Sequence, residues 1–167
     1  KLQNADGSWS WWPGMRGSSW ITIEVAQMFV RLNEMTGQHD QYAAMLDKAM
    51  GFIGKEIVEL VDEMKKEEKK GHKQAFPSFK ALQWLYLATI DGRQLPGNVQ
   101  EANIYLRNLL KKETKRQTIL EKALSAVVLA NQTYIKSLKE YTVYKEDMGR
   151  YYDTPRAGYS WRDYRIP

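Results

Sequence analysis

Apolar residues recur along most of this chain at the three- and four-residue spacing of one helical face. Ile21, Val25, Met28, Phe29, Leu32 and Met35 predict a first helix that starts at Ser18 or Ser19 and ends before Gly37, a residue suited to a left-handed stop. Tyr42, Met45, Leu46, Ala49, Phe52 and Ile53 predict a second, with Asp40 as its cap, and the pattern resumes through Ile57, Leu60, Val61 and Met64. Gly51 and Gly54 interrupt that face. Each costs about 1 kcal/mol relative to alanine inside a helix, so a bend or a close helix approach is expected there. Phe76, Pro77 and Ser78 open a third helix, with Leu82, Leu85, Tyr86 and Ile90 inside and Gly92 after its end. Asn98 and Glu101 have the spacing of a capping box and precede Val99, Ala102, Leu106, Leu109 and Leu110. Thr118 and Glu121 form a second box, before Leu120, Leu124, Val127 and Val128. Around 131–133 this last helix either breaks or runs on through Ile135, Leu138 and Tyr141. Periodicity alone leaves both open. The tail 149–167, rich in tyrosine and arginine, reads as a long ordered loop.

No segment shows convincing strand alternation, so the expected fold class is all-α. Short connections make neighbouring helices antiparallel hairpins, and 167 residues suit a single domain, 1–167. Stacked hairpins leave an apolar edge unless the array closes on itself or on further sequence. The chain begins without methionine and stops at Pro167, where a proline could open another helix. The expectation is therefore a piece of an array, excised from a larger multidomain protein.

Two tryptophan-rich segments flank the helical sequence. One reads Gln3-Asn4-Ala5-Asp6-Gly7-Ser8-Trp9-Ser10-Trp11-Trp12-Pro13-Gly14, and the other Ala157-Gly158-Tyr159-Ser160-Trp161-Arg162-Asp163-Tyr164. Gln3, Gly7 and Trp9 fit the spacing Gln-x-x-x-Gly-x-Trp, which resembles the repeat signature of the helical toroids of terpenoid cyclases. That architecture is shared by prenyltransferase β-subunits and by the thioester domains of α2-macroglobulins and complement. In such a loop the indole plugs the gap between hairpins and the amide caps a helix end. A second, degenerate Gly-x-x-Trp ends at Trp161, as repetition at the scale of supersecondary units would have it. Trp9 and Trp20 are expected to pack between helices. Trp11 and Trp12 are adjacent and should not both point one way, which leaves one of them as a partly exposed aromatic contact.

Candidate chemistry is sparse. His39 and His72 are the only histidines, both in polar surroundings and neither with an i, i+4 partner for zinc. There is no phosphate-cradling glycine loop and no Gly-x-Ser-x-Gly elbow. Cysteine is absent, which removes disulfides, thiolate metal sites and cysteine nucleophiles. No catalytic, metal or cofactor-binding residue is assigned, and none of these residues can form a thioester. The net charge of +5 raises nucleic acid as a partner, but bases and acids are interleaved, as in the run 65–73, and a footprint would cluster the bases on one face. No apolar run approaches the roughly 20 residues of a bilayer span. Asp6 and Asp163 among aromatics have the composition of a sugar cleft, for which a glycosidase would need two opposed carboxyls. The plainer reading makes Asp6 a turn residue before Gly7 and Asp163 a helix cap.

Asp6-Gly7-Ser8-Trp9-Ser10-Trp11-Trp12-Pro13-Gly14, followed by Ser19-Trp20-Ile21-Thr22 and the helix to Leu32, is similar to a stretch of bacterial α2-macroglobulin-family proteins. In these an Asp-Gly-Ser-aromatic-Ser-aromatic loop leads into a Thr-Trp-Leu-Thr-like helix. Glu121-Lys122-Ala123-Leu124-Ser125-Ala126 resembles a later Lys-Ala-Leu-Leu-Ala helix of the same domain, and Tyr159-Ser160-Trp161 falls at another aromatic loop. The resemblance covers most of the chain and is specific in its first thirty or so residues. It implies part of the thioester-domain α/α toroid of a protease-trapping, periplasmic or cell-surface protein, with the other domains of the parent and its target proteases as partners. The family's Cys-x-Glu-Gln motif would lie upstream. A carbohydrate-active helical toroid is the second implied class. A terpene or prenyl enzyme is the third, without the Asp-x-Asp-Asp motif or zinc-ligand cysteine it would use.

Overall fold

A computed structural model describes residues 3–37, 42–113, 118–131, 135–136 and 138–152. In chain order these form α1 (Ser19–Thr36), α2 (Ala43–Lys69), α3 (Phe79–Asp91), α4 (Gly97–Lys112), α5 (Ile119–Leu129), a 3-10 turn (Lys139–Tyr141), and strands β1 (Thr142–Lys145) and β2 (Gly149–Tyr152). Among the described residues the protein is thus mostly helical, with one small hairpin. Helix α3 packs against α1 on one side and α5 on the other, while α2 packs on α4; α1 also meets α2, and α4 meets both α3 and α5. Odd-numbered helices therefore form one layer and even-numbered helices the other, with the core between them.

The helix ends follow from their caps. The Ser18 hydroxyl accepts from the Ile21 N–H, and Gly37 closes α1 at φ 66°. The Ser78 hydroxyl accepts from the Ala81 N–H at the start of α3. At α5 both halves of the Thr118–Glu121 capping box form, and the helix stops after Leu129, where Ala130 turns left-handed at φ 48°. The break near residue 131 thus comes from the backbone of Ala130. Helix α4 departs from expectation. Its N-cap is Pro96 and it starts at Gly97, so Asn98 lies within the first turn and makes no cap. Proline supplies the extended ψ that turns the chain into the helix. Tyr42 precedes α2 without a side-chain cap, and Asp40 and His39 lie outside the described residues.

Helix α1 is rotated from its expected face. Thr22, Ile23, Ala26, Gln27, Phe29, Val30 and Asn33 are buried, while Met28 and Met35 are 55% and 84% exposed. The cause is local: α1 is oriented by Thr22, whose hydroxyl accepts the Trp9 N–H at 2.9 Å. In α5, Val127 likewise lies outside and Ser125 and Ala126 lie inside. The core gathers Ile53 and Ile57 of α2, Leu82, Trp84, Leu85 and Leu87 of α3, and Leu106 and Leu110 of α4. Helix α2 passes Gly54 without interruption, and a Cβ there would sit 3.3 Å from a Val99 methyl. This glycine serves the close approach of α2 to α4. Arg107 ties three helices, donating to the Val128 carbonyl and the Thr89 hydroxyl, both at 2.6 Å.

The mostly helical structure is compatible with the all-α expectation, and the hairpin corrects only the reading of 149–152 as loop. Thr142 pairs with Tyr152 and Lys145 with Gly149 across three turn residues. Gly149, the first residue after the turn, sits at φ 71°, a backbone conformation that favours glycine. Tyr151 of β2 and Leu138 before the 3-10 turn are buried.

Trp84 is fully enclosed. Trp84→Ala should therefore lower the unfolding free energy by about 3–5 kcal/mol, and Thr118→Ala by about 1 kcal/mol. Urea denaturation followed by circular dichroism checks both, and the order of the two losses is the expected outcome.

Candidate functional site

The first tryptophan loop is built from hydrogen bonds before it is built from rings. A turn over residues 4–7 closes with Gly7 N–H to the Asn4 carbonyl at 3.0 Å and Asn4 N–H to the Ser8 carbonyl at 2.9 Å. Gly7 adopts φ 91°, and a Cβ there would lie 2.2 Å from the Lys48 carbonyl oxygen of α2. Glycine is thus required twice, for conformation and for contact. The Gln3 side-chain amide spends both hydrogens, one on the Gly7 carbonyl at 2.9 Å and one on the Met45 carbonyl of α2 at 2.8 Å. Gln3 therefore binds the loop to itself and to the first turn of α2.

Trp9 follows, 6% exposed. Its N–H donates to Thr22 Oγ1, whose own hydroxyl donates to the Ser18 carbonyl at 2.7 Å. Its carbonyl accepts the Ser18 N–H at 2.7 Å. The indole meets Phe29 edge-on at 5.8 Å, and Phe29 stacks on Tyr42 at 4.7 Å. One aromatic column thereby joins the loop, α1 and the start of α2.

Beyond Trp9 the loop turns outward. Trp11 and Trp12 are 59% and 69% exposed, so both face solvent, against the expectation that only one would. Trp11 stacks nearly parallel on Trp20, with centroids 5.5 Å apart and planes at 16°. Trp20 is consequently half-buried at the first turn of α1, partly by packing and partly as the backing of an outward indole. The Ser10 hydroxyl and the Met15 N–H both donate to the Trp12 carbonyl, which fixes the exposed bend. Trp161 and Asp163 lie outside the described residues.

Asp6 takes part as an acceptor. Its carboxylate receives the Ser8 hydroxyl at 2.6 Å and the Ser8 N–H at 3.0 Å. These bonds, the hydroxyl first, hold its pKa below the ordinary carboxylate value. His72 pairs with Glu67 at the exposed end of α2. Among the described residues no cluster of histidine, cysteine and carboxylate is placed to hold a metal, and no helix is long and apolar enough to cross a membrane.

A groove of about 570 Å³ lies alongside α2 at the turn between α3 and α4, lined by Met50, Gly51, Lys55, Leu95, Pro96 and Val99 among others. Arg93 at its rim donates to both Asp91 and Asp47. Burial opposes the charged guanidinium, but these two carboxylates outweigh it and raise its pKa. The guanidinium is therefore committed to joining α2 to the turn.

Periodicity could not reveal the split within the loop, because Trp9 and Trp11 are both odd positions in one short segment. The Thr22 signal was present as a hydroxyl on an otherwise apolar helix start. Comparison with protein-family models, curated proteins and solved structures finds no match to this chain.

Two outcomes test this geometry. Asp6 has a depressed folded pKa, so its stabilisation is complete above the ordinary carboxylate value near 3.8 and is lost as pH falls through the lower folded value. Asp6→Asn should melt earlier than the parent at neutral pH, and the two should converge in acid. Trp9→Ala should cost about 3–5 kcal/mol, and Trp12→Ala should leave melting nearly unchanged, both measured by thermal denaturation.

Proposed function

We propose that this chain is a non-catalytic structural and interaction domain, a section of an α/α toroid, within an α2-macroglobulin-like protease trap of the bacterial cell envelope. The observation that carries this reading is the loop Gln3-Gly7-Trp9. Its amide reaches α2, its glycine touches α2 and its indole enters the seam beside α1. This is the wedge that the sequence resemblance implies for a toroid. Two layers of alternating helices, with α3 between α1 and α5, give further support. On this reading the domain moves as a unit when a protease cuts elsewhere in the parent, and it helps to engage the attacker. Its partners are the parent's other domains and the protease, and its setting is extracytoplasmic.

The test uses the whole open reading frame that encodes the chain. Digestion by a panel of endoproteinases should leave the cut protein and the protease in one particle that sediments faster than the uncut form. Complete degradation with the protease left free would sink the proposal.

The exposed Trp11 and Trp12 favour a second reading, a glycan-binding module. Indole faces stack on sugar rings, and Trp11 is already held flat by Trp20. Titrating a polysaccharide panel while following tryptophan emission separates the two. On the first reading there is neither saturable quenching nor release of reducing ends. Saturable quenching that Trp11→Ala and Trp12→Ala abolish, with melting unchanged, would establish the second.

A further inference from the structure

Ile21, Val25, Met28, Leu32 and Met35 of α1 are separated by four, three, four and three residues. That is the alternation of a paired-helix seam rather than of a helix facing a broad core. The rotation of α1 directs this stripe away from α2, because Thr22, Ala26, Phe29, Val30 and Asn33 occupy the inner face. Met28 and Met35 are largely exposed, while Ile21, Val25 and Leu32 are half-buried. A shallow surface cavity of about 450 Å³ follows the stripe, lined by Val25, Met28, Leu32 and Met35 with Glu24 and Arg31 along one edge. An apolar surface of this shape in water favours association.

The charges on its rim decide what fits. Glu24 and Arg31 lie seven residues apart, at equivalent positions on the same side of the stripe. Both are held there by α3. The Gln83 amide donates to Glu24, and Arg31 donates to the Tyr86 hydroxyl at 3.0 Å while lying 5.6 Å over its ring. If two such helices met in parallel and in register, this edge of one copy would lie against the opposite edge of the other, and Glu24 and Arg31 would meet Phe29 and Thr36 rather than a charge. If they met antiparallel, each Glu24 would face the other copy's Arg31, and the contact would be made twice across a two-fold axis. In the same register Ile21 lies opposite Leu32, and Val25 opposite Met28, again twice.

We propose that this face of α1 is a docking surface for a second copy of this chain, joined antiparallel through the seam Ile21, Val25, Met28 and Leu32 and selected by reciprocal Glu24–Arg31 pairs. The inference stands apart from the protease-trap reading, since it concerns contacts between copies of this chain whatever the parent does. The seam is about 20 Å long by helical rise, which places it among small, reversible interfaces. Its dimer should dissociate in the micromolar range.

Sedimentation equilibrium of the full 167-residue chain across that range should show a monomer–dimer equilibrium. Met28→Glu should weaken it by about a hundredfold or more, because a charge is forced into the apolar seam, with the circular dichroism of the monomer unchanged. Glu24→Arg alone and Arg31→Glu alone should each weaken pairing, whereas the two together should restore it. Loss of the Gln83 and Tyr86 bonds by themselves would not be reversed by the double exchange. Since the chain has no cysteine, direction can be read by cross-linking. Oxidation of a mixture of Ile21→Cys and Leu32→Cys variants should give a disulfide between unlike copies, and neither variant alone should give one. A chain that stays monomeric, a Met28→Glu variant that still pairs, a double exchange without rescue, or Ile21→Cys cross-linking to itself would each overturn the proposal.

Discussion

Everything at the N-terminal half depends on burying Trp9 without stranding its backbone. An indole supplies a large apolar surface, but entering a helix seam normally leaves its peptide groups without water. Here the start of α1 takes both. The N–H of Ser18, at the cap of the helix, donates to the Trp9 carbonyl, and the Thr22 hydroxyl accepts the Trp9 N–H. The loop and the helix are therefore satisfied by one another, and neither has its observed geometry without the other. Gln3 and Gly7 extend the same logic to α2, where a side-chain amide and an absent side chain let the loop lie directly on helix backbone.

The helices were legible because their stops are chemical. Ser18, Ser78 and Thr118 mark three starts and Gly37 and Gly92 two ends, and all five occupy cap positions. Faces were less legible, because periodicity counts apolar residues while burial answers to tertiary neighbours. On α1 the buried set includes Thr22, Gln27 and Asn33, and the conspicuous methionines lie outside. Trp84 falls in the continuously buried run 81–85 of α3, where no alternation of exposed and buried positions singles it out. Val143 and Tyr144 against Tyr151 and Tyr152 around a glycine-ended turn are ordinary strand signals, too short to register beside long helices.

Within the candidate site, the sequence pointed to Gln3, Gly7, Trp9, Trp11, Trp12 and Trp20 as a group, but their division of labour is a tertiary result. Trp9 turns inward because Thr22 is there to receive its N–H. Trp11 turns outward because Trp20 offers a flat partner beside it. Two tryptophans separated by a single serine thus perform opposite tasks. Electrostatics plays a smaller part. Arg93 and Arg107 are bound within the fold, each bridging separate segments through carboxylates or carbonyls, and so the formal positive charge overstates what the surface offers to an anionic ligand.

The Gln3 amide bond to Met45 spans 42 residues of chain. In kinetic terms such a contact comes late, because the closure entropy of a long loop is paid before the bond is gained. The α1–α2 pair, with its shorter connection, provides the surface on which this loop settles. Once there, the loop is held to α1 as well, through the Trp9 bonds to Ser18 and Thr22 and the contact of its indole with Phe29. The N-terminal loop is therefore a latch that closes late, over two helices at once.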